Sequence, residues 1–128
     1  MLFFYGVLLQ GLGDWPFLRG IGPARSATTQ GTLFAIPDQS GWYPALVPGE
    51  GRVAGAVHDA GGVDLAAMDA FEGPDYERRE IEVEVSGEVL ASQAYCWIAD
   101  LPDDAEPIPH GDFARWLTET GRRPISQH

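Results

Sequence analysis

The stretch Arg79-Glu80-Ile81-Glu82-Val83-Glu84-Val85 alternates strictly between charged and aliphatic residues, and this pattern narrows the fold most. A period of two sends every charge to one face and every aliphatic to the other, so the stretch is a strand with one wet face and one face on a core. Its register is fixed, because a slip of one residue would turn the aliphatics outward. Ser86-Gly87-Glu88 turns the chain, and Val89 to Ala99 returns as the hairpin partner, more apolar toward Trp97. One face of that hairpin must be covered by the remaining segments.

Leu2 to Leu9 is apolar and aromatic and reads as a buried central strand, with Gly6 inside it as a bulge or a place of close backbone approach. Gln10 to Gln30 reads as a long loop in which Arg19 and Arg25 are candidate substrate contacts or plain solvated charges. Gly31 to Ile36 is a second strand, Tyr43 to Val47 a short third at an edge because of Pro44, and Gly51 to His58 a fourth. A helix follows Asp64 as N-cap, with Val63 set to pack on Met68 and with Leu65, Met68 and Phe71 as its apolar stripe. The run Asp100 to Pro107 is expected as a solvated acidic loop. A last helix from Asp112 to Gly121 carries Phe113, Trp116 and Leu117 on one face. Short strands, two modest helices and many glycine turns give an α+β fold, mainly β, with helices at the periphery. Residues 1–121 form a single domain and residues 122–128 a loose tail.

The acidic balance, 19 Asp and Glu against 8 basic side chains for a net charge of -11, repels nucleic acid and anionic membrane surfaces, so neither is an expected partner. No lysine occurs, which excludes Schiff-base chemistry and a Walker-type phosphate lysine. The lone cysteine, Cys96, stands in the apolar run Tyr95 to Ile98 and reads as a buried structural thiol. With no basic residue before Arg19, Leu2 to Leu9 does not read as a signal peptide, and a cytoplasmic protein is expected. His58, His110 and His128 lack metal-ligand spacings, so a zinc site is not expected unless folding clusters them. Gly11-Leu12-Gly13 meets Pro16 where a dinucleotide fingerprint needs glycine, and no Gly-x-Ser-x-Gly elbow occurs.

Carboxylate chemistry remains, centred on Glu72. Gly73-Pro74 stops the helix, so Glu72 falls on the last turn, at the negative end of the helix dipole and three residues from Asp69. Both effects favour the protonated form, as a general acid/base near neutral pH requires. Taken alone, this window more readily describes a solvated helix end.

Five pieces in order are Tyr5-Gly6-Val7-Leu8 with Gly11; Tyr43-Pro44-Ala45-Leu46; Val53-x-Gly55-x-Val57; Met68-Asp69-x-x-Glu72-Gly73 with Tyr76-x-Arg78; and Ile108-x-x-Gly111-Asp112-Phe113. Together they resemble the gamma-glutamylcyclotransferase-like superfamily, in its small AIG2-like branch. The resemblance implies a small mixed β-barrel with short helices around a cavity. It also implies an enzyme that cyclises a γ-glutamyl amine or peptide to 5-oxoproline and frees an amine, with no metal or cofactor required, acting as a monomer. Glu72 is then the catalytic acid/base, Tyr5, Gly6, Val7 and Leu8 hold the substrate through backbone N–H groups, and Tyr43, Tyr76 and Arg78 complete the substrate site. The chain departs from the family pattern at Val7, where Ser or Thr is usual, at Ala56, where Glu is common, and at Leu9-Gln10, where a basic pair is common. Val7 favours the alternative, a non-catalytic module that binds an amino-acid-like or amine ligand in the same cavity.

Overall fold

The computed structural model of the 128-residue chain describes residues 1–6, 20–39 and 41–124. Along them run strands β1 (Leu2–Phe4), β2 (Arg25–Asp38) and β3 (Gly41–His58), helix α1 (Leu65–Glu72), strands β4 (Tyr76–Val85), β5 (Glu88–Trp97) and β6 (Glu106–Pro107), and helix α2 (Phe113–Thr120). The strands pair in the order β3-β1-β5-β4-β2, and β2 pairs again with β3, so five strands close on themselves while β6 lies beside β2. Only the β1–β5 contact is parallel among these pairings. The mainly β, mixed barrel with peripheral helices is therefore borne out.

The alternating stretch behaves as its pattern requires: Val83 and Val85 are buried, Ile81 is partly so, and Glu80, Glu82 and Glu84 are exposed. Ser86 and Gly87, both at positive φ, make the two-residue hairpin turn whose twist matches the flanking strands. Alternation in β1 separates two packing layers. Phe3 and Tyr5 point into the barrel core with Val53, Val57 and Ala94, whereas Leu2 and Phe4 pack outward with Met68 and Tyr95 under α1. Met68 is fully buried, and burying such a side chain stabilises by about 2 kcal/mol, which makes it the main anchor of α1. Phe113 and Trp116 of α2 join the barrel core.

Four expectations need correction. Residues 25–30, expected as loop, form the first half of β2, because Ala27 and Thr29 are buried and the Thr29 hydroxyl donates to the Glu82 carbonyl at 2.7 Å. Small polar residues with one β-branched face look like loop in sequence but suit a pleated, half-buried surface. The third and fourth strands are one continuous strand, β3, paired with β2 over residues 41–47 and 52–57. The register shifts between Gln30 and Thr32, opposite the unpaired Pro48 to Gly51. The acidic loop ends in a short strand, with Glu106 and Pro107 paired to Ala35 and Phe34. Residues 122–124, expected within a loose tail, are docked: Arg122 lies 4.3 Å over the Trp42 ring and 2.6 Å from Glu106, and the Arg123 carbonyl accepts the Trp42 N–H. Residues 125–128 lie outside the described residues, as does the second half of the expected strand Leu2 to Leu9.

Both helix caps fall where expected. Asp64 accepts the Ala67 N–H and Asp112 the Arg115 N–H, each at 3.1 Å. Replacing Asp112 by Ala leaves that first-turn N–H without its acceptor, so Asp112→Ala is expected to lose about 1 kcal/mol of stability. A urea midpoint unchanged from wild type would contradict this.

Candidate active site

The site is assembled at one end of the barrel. The end of β1, the start of β4, the end of β5 and the last turn of α1 meet there, as the parallel β1–β5 and antiparallel β4–β5 pairings require. Tyr5 follows β1, is buried, and donates its hydroxyl to the Tyr95 carbonyl. Tyr76 opens β4 and donates to the Pro44 carbonyl at 2.5 Å. Its ring stands edge-on to Trp97 at 5.2 Å and 6.5 Å from Tyr43. Two phenols expected to contact substrate are thus fixed by backbone carbonyls, and Tyr43 is the ring left at the rim, partly exposed.

Gly6 has a physical reason beyond the one sequence suggested. A Cβ there would stand 2.2 Å from Cγ of Pro44, so only glycine lets the chain leaving β1 cross that proline. The same Pro44 carries the carbonyl that holds Tyr76, and one residue of β3 therefore sets both sides of the site. Val7 and Leu8, expected as backbone donors, lie outside the described residues, as does Arg19. Arg25 is exposed and donates toward the Met1 sulfur at 3.3 Å.

Glu72 closes α1, and Gly73 follows at φ 86° with its N–H bonded to the Asp69 carbonyl. A glycine at positive φ with ψ -178° ends the helix at once and leaves the glutamate on the final turn. Glu72 is partly buried, and its carboxylate lies close enough to Tyr5, Tyr76 and Tyr95 to help raise the pKa of all three phenols, after burial. None of the described residues donates a hydrogen bond to it in the structure. Burial pushes its own pKa up from 4.5 to about 7.

The direction matches the sequence reading, but the cause does not. Asp69 is bound by Arg78 and then by the Tyr95 hydroxyl, which hold its carboxyl below the usual carboxylate range. The Arg78 guanidinium sits at 2.9 and 3.2 Å from the two Asp69 oxygens and at 2.6 Å from the Gln93 side-chain oxygen. Asp69 is therefore a compensated anion, and desolvation takes the part assigned to it and to the helix dipole.

Tyr95, Gln93 and Trp97 escaped the sequence reading. The hairpin does contain the signal: counting outward from the Ser86-Gly87 turn pairs Arg78 with Tyr95 and Tyr76 with Trp97. Cys96 is buried, as expected of a structural thiol. His58 is buried with Nδ1 2.8 Å from the Gly22 carbonyl, and His110 pairs with Glu119. Among the described residues no group of three or more His, Cys, Asp or Glu side chains is arranged to hold a metal ion, and no helix is long and apolar enough to cross a membrane.

The profile of the family described as gamma-glutamyl cyclotransferase, AIG2-like, matches residues 2–115. The chain belongs to this family. The resemblance drawn from the five motifs is thereby borne out. Among solved structures, a protein of Arabidopsis thaliana is 27% identical with a TM-score of 0.66, over 94% of this chain and 81% of that one. YkqA of Bacillus subtilis is 22% identical with a TM-score of 0.71, over 94% of this chain but only 41% of its own length. A mouse AIG2-like protein is 19% identical with a TM-score of 0.67, over 99% and 97% of the two chains. The last two likenesses are of fold. No match is found among curated proteins.

Proposed function

We propose that the chain cyclises a γ-glutamyl amine or γ-glutamyl peptide to 5-oxoproline, with Glu72 as the general acid/base. The observation that carries this reading is the Glu72 carboxylate, set among three neutral phenols and raised by burial to a pKa of about 7. A group with that pKa both accepts and returns a proton readily near neutral pH.

The ionised carboxylate takes a proton from the substrate α-ammonium. The freed amine nitrogen then attacks the γ-carbonyl carbon of the same molecule, forming the ring C–N bond and placing negative charge on the carbonyl oxygen. Collapse of that intermediate breaks the original C–N bond. The leaving nitrogen takes the proton from the Glu72 carboxylic acid, and the second proton of the ring nitrogen then passes through the regenerated carboxylate to the released amine, so the products are 5-oxoproline and the amine as its ammonium ion, and the carboxylate is restored. Nucleophile and electrophile share one molecule, and holding the chain folded back on itself supplies much of the rate. Backbone N–H groups of the Tyr5 to Leu8 segment are proposed to stabilise the oxyanion, with Tyr43 at the rim beside the departing amine.

The test is incubation with a panel of γ-glutamyl amines, γ-glutamyl dipeptides and glutathione, with 5-oxoproline measured. Turnover is expected to rise about tenfold per pH unit below a midpoint near 7 and to level off above it, since the base must be ionised. Binding of the same compounds without any 5-oxoproline would replace the enzyme by a ligand-binding module. We propose further that the protein acts in the cytoplasm as a monomer, without cofactor, nucleic-acid or membrane partners.

A further inference from the structure

From the geometry we infer that Asp69, Arg78 and Tyr95 form a positioning clamp, which holds the last turn of α1 against β4 and β5 and so keeps Glu72 at the barrel end. The inference rests on the functional reading above. Glu72 is the final residue of an eight-residue helix, and the chain leaves the helical path at Gly73 and enters β4 at Tyr76, so where Glu72 stands depends on how this last turn is held against β4 and β5. Helix ends fray unless they are tied down. Met68 anchors the turn on one side by burial under Leu2, Phe4 and Tyr95. Asp69, the next residue, supplies the polar tie: both its oxygens face Arg78 in a bidentate pair, and the Tyr95 hydroxyl donates to it at 2.5 Å.

The tie is rigid because its partners are. Arg78 and Tyr95 are directly paired across the β4–β5 ladder, and Gln93 holds a third guanidinium nitrogen. Two residues on one face of a two-strand ladder thus grip one residue on the helix, and a third, Gln93, braces Arg78. An exposed ion pair adds little stability by itself, whereas bidentate geometry within a hydrogen-bonded network fixes orientation. Asp69 is three residues before Glu72, so the grip acts on the very turn that delivers the acid/base. Arg78, expected as a substrate contact, is assigned here to hold the helix.

The inference is tested on the sign of one measurement. Removing a cation near a carboxylate raises the carboxylate's pKa or leaves it unmoved. Release of the helix end would do the opposite, because Glu72 would gain water. The Glu72 side-chain carboxyl titration, followed by carbon NMR in the full chain, is expected near pH 7 in wild type and at least one pH unit lower in Arg78→Met. Arg78→Lys, which keeps the charge and one bond, should recover part of the difference. Should Arg78→Met fail to fold, Tyr95→Phe, which removes one hydrogen bond and no charge, takes its place with the same expected direction.

A variant titration at or above the wild-type value overturns the clamp. With a turned-over γ-glutamyl substrate, kcat is expected to fall about tenfold in the variant with KM little changed. A raised KM at unchanged kcat would put Arg78 on the substrate and also overturn it. The NMR titration needs no turnover, so absence of activity would defeat the functional reading and leave the clamp to be decided separately.

Discussion

Glu72→Gln is expected to lower 5-oxoproline release by about 10²- to 10⁴-fold, the range that a positioned general acid/base supplies, while KM for the γ-glutamyl substrate stays within a few-fold. Glutamine keeps the length and shape of the side chain, so Met68, Phe71 and the clamp on Asp69 still hold the turn. What is removed is the capacity to accept a proton from the ammonium and return it to the leaving amine. The residual rate comes from holding nucleophile and carbonyl together and from donors to the oxyanion, neither of which involves the carboxylate. It should therefore lack the acidic limb near pH 7 that burial of Glu72 imposes on the wild type. Glu72→Asp, one methylene shorter, withdraws the carboxylate from the phenols and should recover only part of the loss. Equal turnover by wild type and Glu72→Gln, over the whole pH range, would leave the fold intact and remove Glu72 from its centre.

How much of this was legible in the chain depends on the range of each interaction. The Arg79 to Val85 alternation, the Asp64 and Asp112 caps and the Gly73 stop are local signals, and the structure keeps every one. Pairings that join distant segments left weaker traces. The Ser26 to Thr29 stretch carries no hydrophobic run, and it becomes strand because β3 and β4 flank it. Glu106-Pro107 becomes strand only because Phe34 and Ala35 present an edge. The docking of Arg122 needs two tryptophans, 42 and 116, that nothing local connects to it.

At the site the division is the same. Glu72 stood out in its own window but was assigned a role only beside the other motifs, and the direction of its shift followed from simple electrostatics. Its cause could not be found there, since desolvation follows from burial in the folded chain, and Asp69 is compensated by an arginine nine residues away. Gly6 shows the limit from the other side. Close backbone approach was the right idea, but the group approaching within the described residues is Pro44, an internal neighbour 38 positions along the chain.

The cost of burying Glu72 should also be visible without any substrate, as a pH-dependent gain of stability in Glu72→Gln. The folded pKa of about 7 exceeds the ordinary 4.5, so between these values the native chain holds the proton more tightly than the unfolded chain. Wild-type stability from this group therefore falls as pH rises from 4.5 to 7. Below the window the carboxyl is neutral in both states and adds no penalty; above it the folded state bears the full cost of a poorly solvated charge. The raised pKa sets an upper limit of about 3 kcal/mol, and partial exposure brings the expected cost down to about 2 kcal/mol. Glutamine has no charge to desolvate. Relative to wild type, Glu72→Gln is expected to be about 2 kcal/mol more stable at pH 8, a rise in Tm of roughly 5 to 10 °C for a chain of this length, and nearly indistinguishable at pH 4. Thermal melts of both proteins at the two pH values decide it. An offset of the same size at both would trace the change to packing, whereas an offset that opens between pH 4.5 and 7 assigns it to the Glu72 charge, whose desolvation is also what fits that side chain to exchange protons.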